Sequence, residues 1–108
     1  MSQVPGLNQT LISSTGAQGV TPTGPAEFFP ITAGGVANIT VPAPTIDGIE
    51  ATFIDEGGHA HTIVCTGCLN GGTTNNKLTF GGAAGDSVTL YSRNGSWWTT
   101  SLIGVTVS

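Results

Sequence analysis

From Phe28 to the C-terminus, apolar residues recur at every second position, the spacing of a strand with one buried face. The positions between them are mostly Thr, Ser and Asn. Residues 36–41 set Ala37, Ile39 and Val41 on one face against Val36, Asn38 and Thr40 on the other. Pro42 and Pro44 end that strand, because proline has no N–H to give a ladder. Residues 49–54 then turn Ile49, Ala51 and Phe53 inward, residues 61–65 form the next strand, and residues 77–80 turn Leu78 and Phe80 inward. Residues 87–92 and 97–102 flank Asn94-Gly95, a pair suited to a type I′ hairpin because both central residues take φ > 0. Adjacent tryptophans on a strand point to opposite sides. One of Trp97 and Trp98 therefore enters the core, and the other, taken as Trp98, lies outside as a candidate subunit contact. Residues 104–108 complete the pattern as a last short strand. No helix start signal and no internal repeat is evident. Six or seven short strands at regular spacing predict an all-β domain, a small antiparallel β-sandwich or barrel.

The first 30 residues break this rhythm. Pro5, Pro22, Pro25 and Pro30, with several glycines, lie too close together for a helix or a long strand. Residues 1–30 are expected to form an extended arm, with one short strand near 9–13, ahead of a compact β domain at 31–108. Leu11, Ile12, Val20, Phe28 and Phe29 would waste apolar surface in a free tail, so the arm is expected to order against a partner through them.

Charge narrows the function classes. The 108 residues hold two cationic and six acidic side chains, for a formal net charge of −4. Lys77 and Arg93 cannot supply the several phosphate contacts that nucleic-acid binding needs. An anionic membrane surface is disfavoured by the same sign, and no apolar stretch approaches the roughly 20 residues of a membrane span. The N-terminus lacks the basic start and apolar run of a signal peptide, so synthesis in a cytoplasm is expected. A surface this poor in charge is neutral and hydrogen-bonding or is covered by other protein, which points to a structural or assembly role.

One cluster bears weighing for chemistry: Gly58-His-Ala-His-Thr-Ile-Val-Cys-Thr-Gly-Cys68. His59 and His61 share a strand face, Cys65 joins them if the strand is unbroken, and Cys68 follows past Gly67. Two imidazoles and two thiolates suit tetrahedral zinc, but on a strand His61 and Cys65 are about 13 Å apart, too far for bonds of about 2 Å. A metal on a three-fold axis, with His59 or His61 from each of three subunits, is geometrically easier. The plainer alternative is that the imidazoles hydrogen-bond backbone or a neighbouring carboxylate, Asp55 or Glu56. Cys65 and Cys68 are spaced as a redox pair but lack the helix N-terminus that depresses a thiol pKa. A small-loop disulfide under oxidising conditions and two plain thiols both stay open. Asp55 and Glu56 are adjacent and diverge, so they form no acid/base pair. No Gly-x-Ser-x-Gly elbow occurs, and the glycine runs at 34–35, 71–72 and 81–85 precede no helix. Neither an enzyme nor a resident metal or cofactor is expected.

The turns themselves form a pattern. Val41-Pro-Ala-Pro-Thr45 leads to Asp47-Gly48, and a second strand closes on Asp-Glu-Gly-Gly-His-Ala-His-Thr at 55–62. Phe-Gly-Gly-Ala-Ala-Gly-Asp-Ser-Val follows at 80–88, then Tyr91 and Gly95-Ser96-Trp97. From Ile31 onward the chain resembles the small all-β virion proteins of tailed bacteriophages. The resemblance implies a capsid decoration (cement) protein made in the host cytoplasm. Such a protein is a homotrimer seated on the outer capsid surface, bound to the major capsid protein, with the arm reaching across neighbouring subunits. The alternative it implies is a head- or tail-fibre module that binds a host-surface glycan or protein through Trp98, Tyr91 and the loops. A metal-dependent enzyme resting on His59, His61, Cys65 and Cys68 is the distant third class.

Overall fold

The computed structural model describes residues 8–72, 74 and 76–108. The first seven residues of the expected arm, and Thr73 and Asn75 of the loop before residue 77, lie outside the described residues. Ten strands follow in order: β1 (Asn8–Gln9), β2 (Gly16–Gly19), β3 (Ala26–Ile31), β4 (Ala37–Thr40), β5 (Glu50–Asp55), β6 (Thr62–Val64), β7 (Lys77–Phe80), β8 (Ser87–Arg93), β9 (Ser96–Ile103) and β10 (Val105–Val107). They build two packed five-stranded sheets, ordered β1-β3-β5-β8-β9 and β10-β7-β6-β4-β2. The all-β expectation holds, as a sandwich of two sheets.

The sheets are mixed, not antiparallel. From β1 to β6 the chain steps to the opposite sheet at every strand, so β1, β3 and β5 run parallel in one layer and β2, β4 and β6 parallel in the other. This is a flattened helix of three coils. Only the last four strands add antiparallel pairs, β8 and β9 to the first sheet and β7 and β10 to the second. Period-two alternation is the same for either strand direction, which is why it did not reveal the winding.

The winding also corrects the arm. Residues 8–31 are woven into both sheets, and Ile12, Phe29 and Ile31 are buried in the common core. Ile12 bridges Ile31 in parallel, which opens a corner ladder that Ile31 and Asp55 continue.

The second and third coils form a repeat that sequence inspection misses. Ala26 pairs with Glu50 and Asn38 with Thr62 at one constant offset of 24 residues, with no insertion between. In-register pairs stack like with like: the Phe29 and Phe53 rings lie 4.7 Å apart, and Ile39 sits against Ile63. The corners approach closely. A Cβ on Gly57 would come within 2.9 Å of the Ala33 carbonyl oxygen, so a side chain there would push successive coils apart. Identical residues are few across the repeat, so its signature lies in the register of corners and core positions. At the far end, Asn94 (φ 52°) and Gly95 (φ 74°) turn β8 into β9 as the hairpin pair predicted.

Candidate functional site

Asp55 and His61 occupy core positions that are apolar one coil earlier, where Ile31 and Ala37 stand. Both are fully buried. The loop between them folds around the Asp55 carboxylate: Oδ1 accepts the N–H of Gly57 (3.0 Å) and of Gly58 (2.9 Å), and Oδ2 accepts that of His59 (3.0 Å). The Ala37 N–H donates to Nδ1 of His61 at 3.0 Å, so Nε2 carries the ring proton and donates it to Asp55 Oδ1 at 3.2 Å. The His–carboxylate alternative is thus the one realised. Every ring nitrogen and both carboxylate oxygens are engaged within the chain, and this polar pair locks the third coil to the second.

His59 and His61 do not share a strand face. His61 N–H donates to the His59 carbonyl in a tight turn, and β6 starts only at Thr62. The rings meet edge to face at 6.0 Å, His61 inside and His59 half-buried. Cys65 and Cys68 are joined as a disulfide with Cα atoms 5.3 Å apart, a spacing that fits the bond. The candidate set therefore separates: the two sulfurs bond each other, and His61 is spent on Asp55 and Ala37. Among the described residues, no group of three or more His, Cys, Asp or Glu side chains is placed to hold a metal ion.

The disulfide loop positions a second junction. It carries the chain from β6 in one sheet to the edge of β9 in the other. There Trp97 N–H donates to Cys68 O (2.7 Å), and Asn70 N–H donates to Trp97 O (2.8 Å). The Asn70 side chain then accepts the Thr99 N–H at 2.9 Å. Sequence reasoning missed Asn70, although Asn70-Gly71 repeats the Asn-Gly signal of the hairpin and Asn70 has a positive φ of 49°. It also missed Ser92, which lies on the inward face with Val88 and Leu90. Its Oγ accepts the Ile49 N–H and donates to the Ile46 carbonyl, each at 2.8 Å.

The six candidate contact residues divide. Ile12 (4% exposed) and Phe29 (2%) are core residues with no surface to offer a partner, and Val20 packs partly buried against the same core. Leu11, Phe28 and Trp98 are exposed. Phe28 and Trp98 share the outer face of the first sheet. Across its strands run the row Glu50–Tyr91–Trp98, the row Phe28–Thr52–Thr89–Ser101 and the row Ile54–Ser87–Ile103. The Trp98 ring is fixed by its Nε1–H, which donates to the Arg93 carbonyl at 3.1 Å. The other sheet's outer face carries the row Ala17–Asn38–Thr62–Thr79–Thr106, with Thr62 donating to the Asn38 side chain at 2.9 Å. Trp97 is the buried partner of the pair. It floors an apolar cleft of about 200 Å³ walled by Pro22, Pro44, Ile46 and Ile49, and its Nε1–H donates to the Pro42 carbonyl at 2.8 Å. No protein-family model matches the chain, and no curated protein is significantly similar to it.

Proposed function

We propose that this chain is a virion structural protein of a tailed bacteriophage. In this reading it is a decoration protein that works by adhesion, binding the outer shell as an oligomer and stabilising it. The observation that carries this is the outer face of the first sheet. Phe28 (44% exposed), Trp98 (39%) and Ile103 (57%) stand out of a field of Thr and Ser with one carboxylate, Glu50, among them. Aromatic anchors in a nearly uncharged surface are cheap to desolvate and suit a protein contact. Two of the groups capable of chemistry are consumed internally: Asp55 by His61 and three backbone N–H groups, Cys65 by Cys68. The shell as partner comes from the resemblance of residues 31–108 to phage virion proteins. In place of a reaching arm, the sheet face makes the contact.

The test is co-sedimentation of purified protein with phage shells lacking it. Trp98→Ala and Phe28→Ala are expected to weaken binding about tenfold or more each, with cooperative unfolding retained because neither side chain belongs to the core. Undiminished binding by both variants rules this face out. The fixed Trp98 ring beside Tyr91 favours a second reading, a fibre module that stacks a host sugar on the indole. In that case the protein binds glycans on an array, loses this with Trp98→Ala, and leaves shell stability unchanged.

A further inference from the structure

We propose that the open half of β9 is a self-association edge, through which two copies of this chain pair antiparallel about a two-fold axis near Leu102. β9 is the last strand of its sheet. Its first half is covered, since Cys68 and Asn70 take the backbone groups of Trp97 and the Asn70 side chain takes the Thr99 N–H. That cover ends before the register shift opposite Thr89 and Leu90, and beyond it Ser101, Leu102 and Ile103 pair with β8 on one side only. Among the described residues no strand lies on their other side.

Three observations name a second copy as the occupant. Ser101 and Ile103 bond back to β8, so the open stretch turns the Leu102 N–H and C=O outward, and the same pair on a second molecule complements them by symmetry. Leu102 (43% exposed) and Ile103 (57%) are adjacent and point to opposite faces of the strand, so a strand laid alongside covers both. Charge decides between self and other surfaces. At net −4 two copies repel over most approaches, yet no side chain from Ser96 to Ser108 is ionisable. Residues 101–103 carry no Lys or Pro, two of the residues by which edges are kept single. In the antiparallel pairing Leu102 faces its own symmetry mate and Ser101 faces Ile103, which merges two five-stranded sheets into one.

This deepens the decoration reading by giving its oligomer an interface, a two-fold pair in place of the trimer that the resemblance implies, but it is tested on the isolated protein, so its failure leaves shell binding untouched. Sedimentation equilibrium of the full chain from micromolar to millimolar concentration is expected to approach twice the monomer mass. Leu102→Lys sets two ammonium groups face to face at the axis and is expected to weaken the dimer about tenfold or more. Leu11→Lys, at an exposed site near β1 on the opposite edge of the sheet, is expected to leave it intact. Hydrogen exchange on the unaltered chain gives an independent readout, with the Leu102 amide, the one of 101–103 that points away from β8, gaining protection as concentration rises. A monomer at every concentration, a trimer, or a dimer indifferent to Leu102→Lys overturns the proposal.

Discussion

At the scale of single residues, the Asp55 carboxylate is the polar atom group on which most depends. It is fully buried and holds four donors, three from its own loop and one from His61. A buried carboxylate in so complete a set of hydrogen bonds stabilises through what its removal would orphan, since each unsatisfied donor costs about 1–3 kcal/mol. Asp55→Ala strands the His61 N–H outright and frees three loop amides that water reaches in part. The expected loss is about 3 kcal/mol, read in urea unfolding as a lower midpoint with the slope unchanged. A loss under about 1 kcal/mol means that water replaces the carboxylate and that the loop, not the core, is what Asp55 organises. The His–carboxylate partnership was legible from the Asp-Glu-Gly-Gly-His-Ala-His spacing as one alternative. What was not legible is that these residues replace Ile31 and Ala37 of the preceding coil, because that correspondence exists only after the chain is wound.

At the scale of elements, the strands on either side of Asn94-Gly95 were the clearest in the sequence, since the hairpin is local and its turn demands two positive φ values. The inward faces were also clear. Ala37, Ile39, Ala51, Phe53, Leu78 and Phe80 are all buried where the alternation sets them, and Trp97 and Trp98 divide between core and surface. Pairing partners were not, because a two-residue period says which side chains share a face and nothing about which strand lies alongside. The segment from Cys65 to Asn70 illustrates this. It carries no alternation, yet it ties one sheet to the edge of the other. Its disulfide closes a very short loop, for which the chain-entropy model gives about 2 kcal/mol. Replacing both cysteines by serine is expected to lower unfolding free energy by about that amount. It should also raise amide exchange at Trp97 and Asn70, whose mutual pairing the loop presents. Unchanged exchange at those two amides separates the cross-link from the junction.

At the scale of the whole molecule, the difference between an arm and a first coil is measurable. A free arm can be removed without consequence for the rest. Deleting residues 1–26 instead strips β1 and β2 from the two sheets and takes Ile12 out of the core. Loss of a buried Ile alone costs about 2 kcal/mol, so the melting temperature of the truncated chain is expected to fall by about 10 °C or more in a calorimetric scan. A melting curve superimposable on that of the full chain would restore the arm. Of the breakers that suggested an arm, Pro22 and Pro25 are corners of the winding, turning the chain between β2 and β3 as Pro42 and Pro44 do between β4 and β5, whereas Pro30 lies within β3. Breakers mark ends of elements, and a tightly wound chain has as many ends as a loose one. Stepping between layers at each of the first six strands also has a mechanical outcome. The amino-terminal turns rest one upon the next, whereas the carboxyl end is stitched back by Ser108 to Lys77 and Asn76. Tension on the leading end would therefore unreel the molecule loop by loop, and the trailing end would be the last to come free.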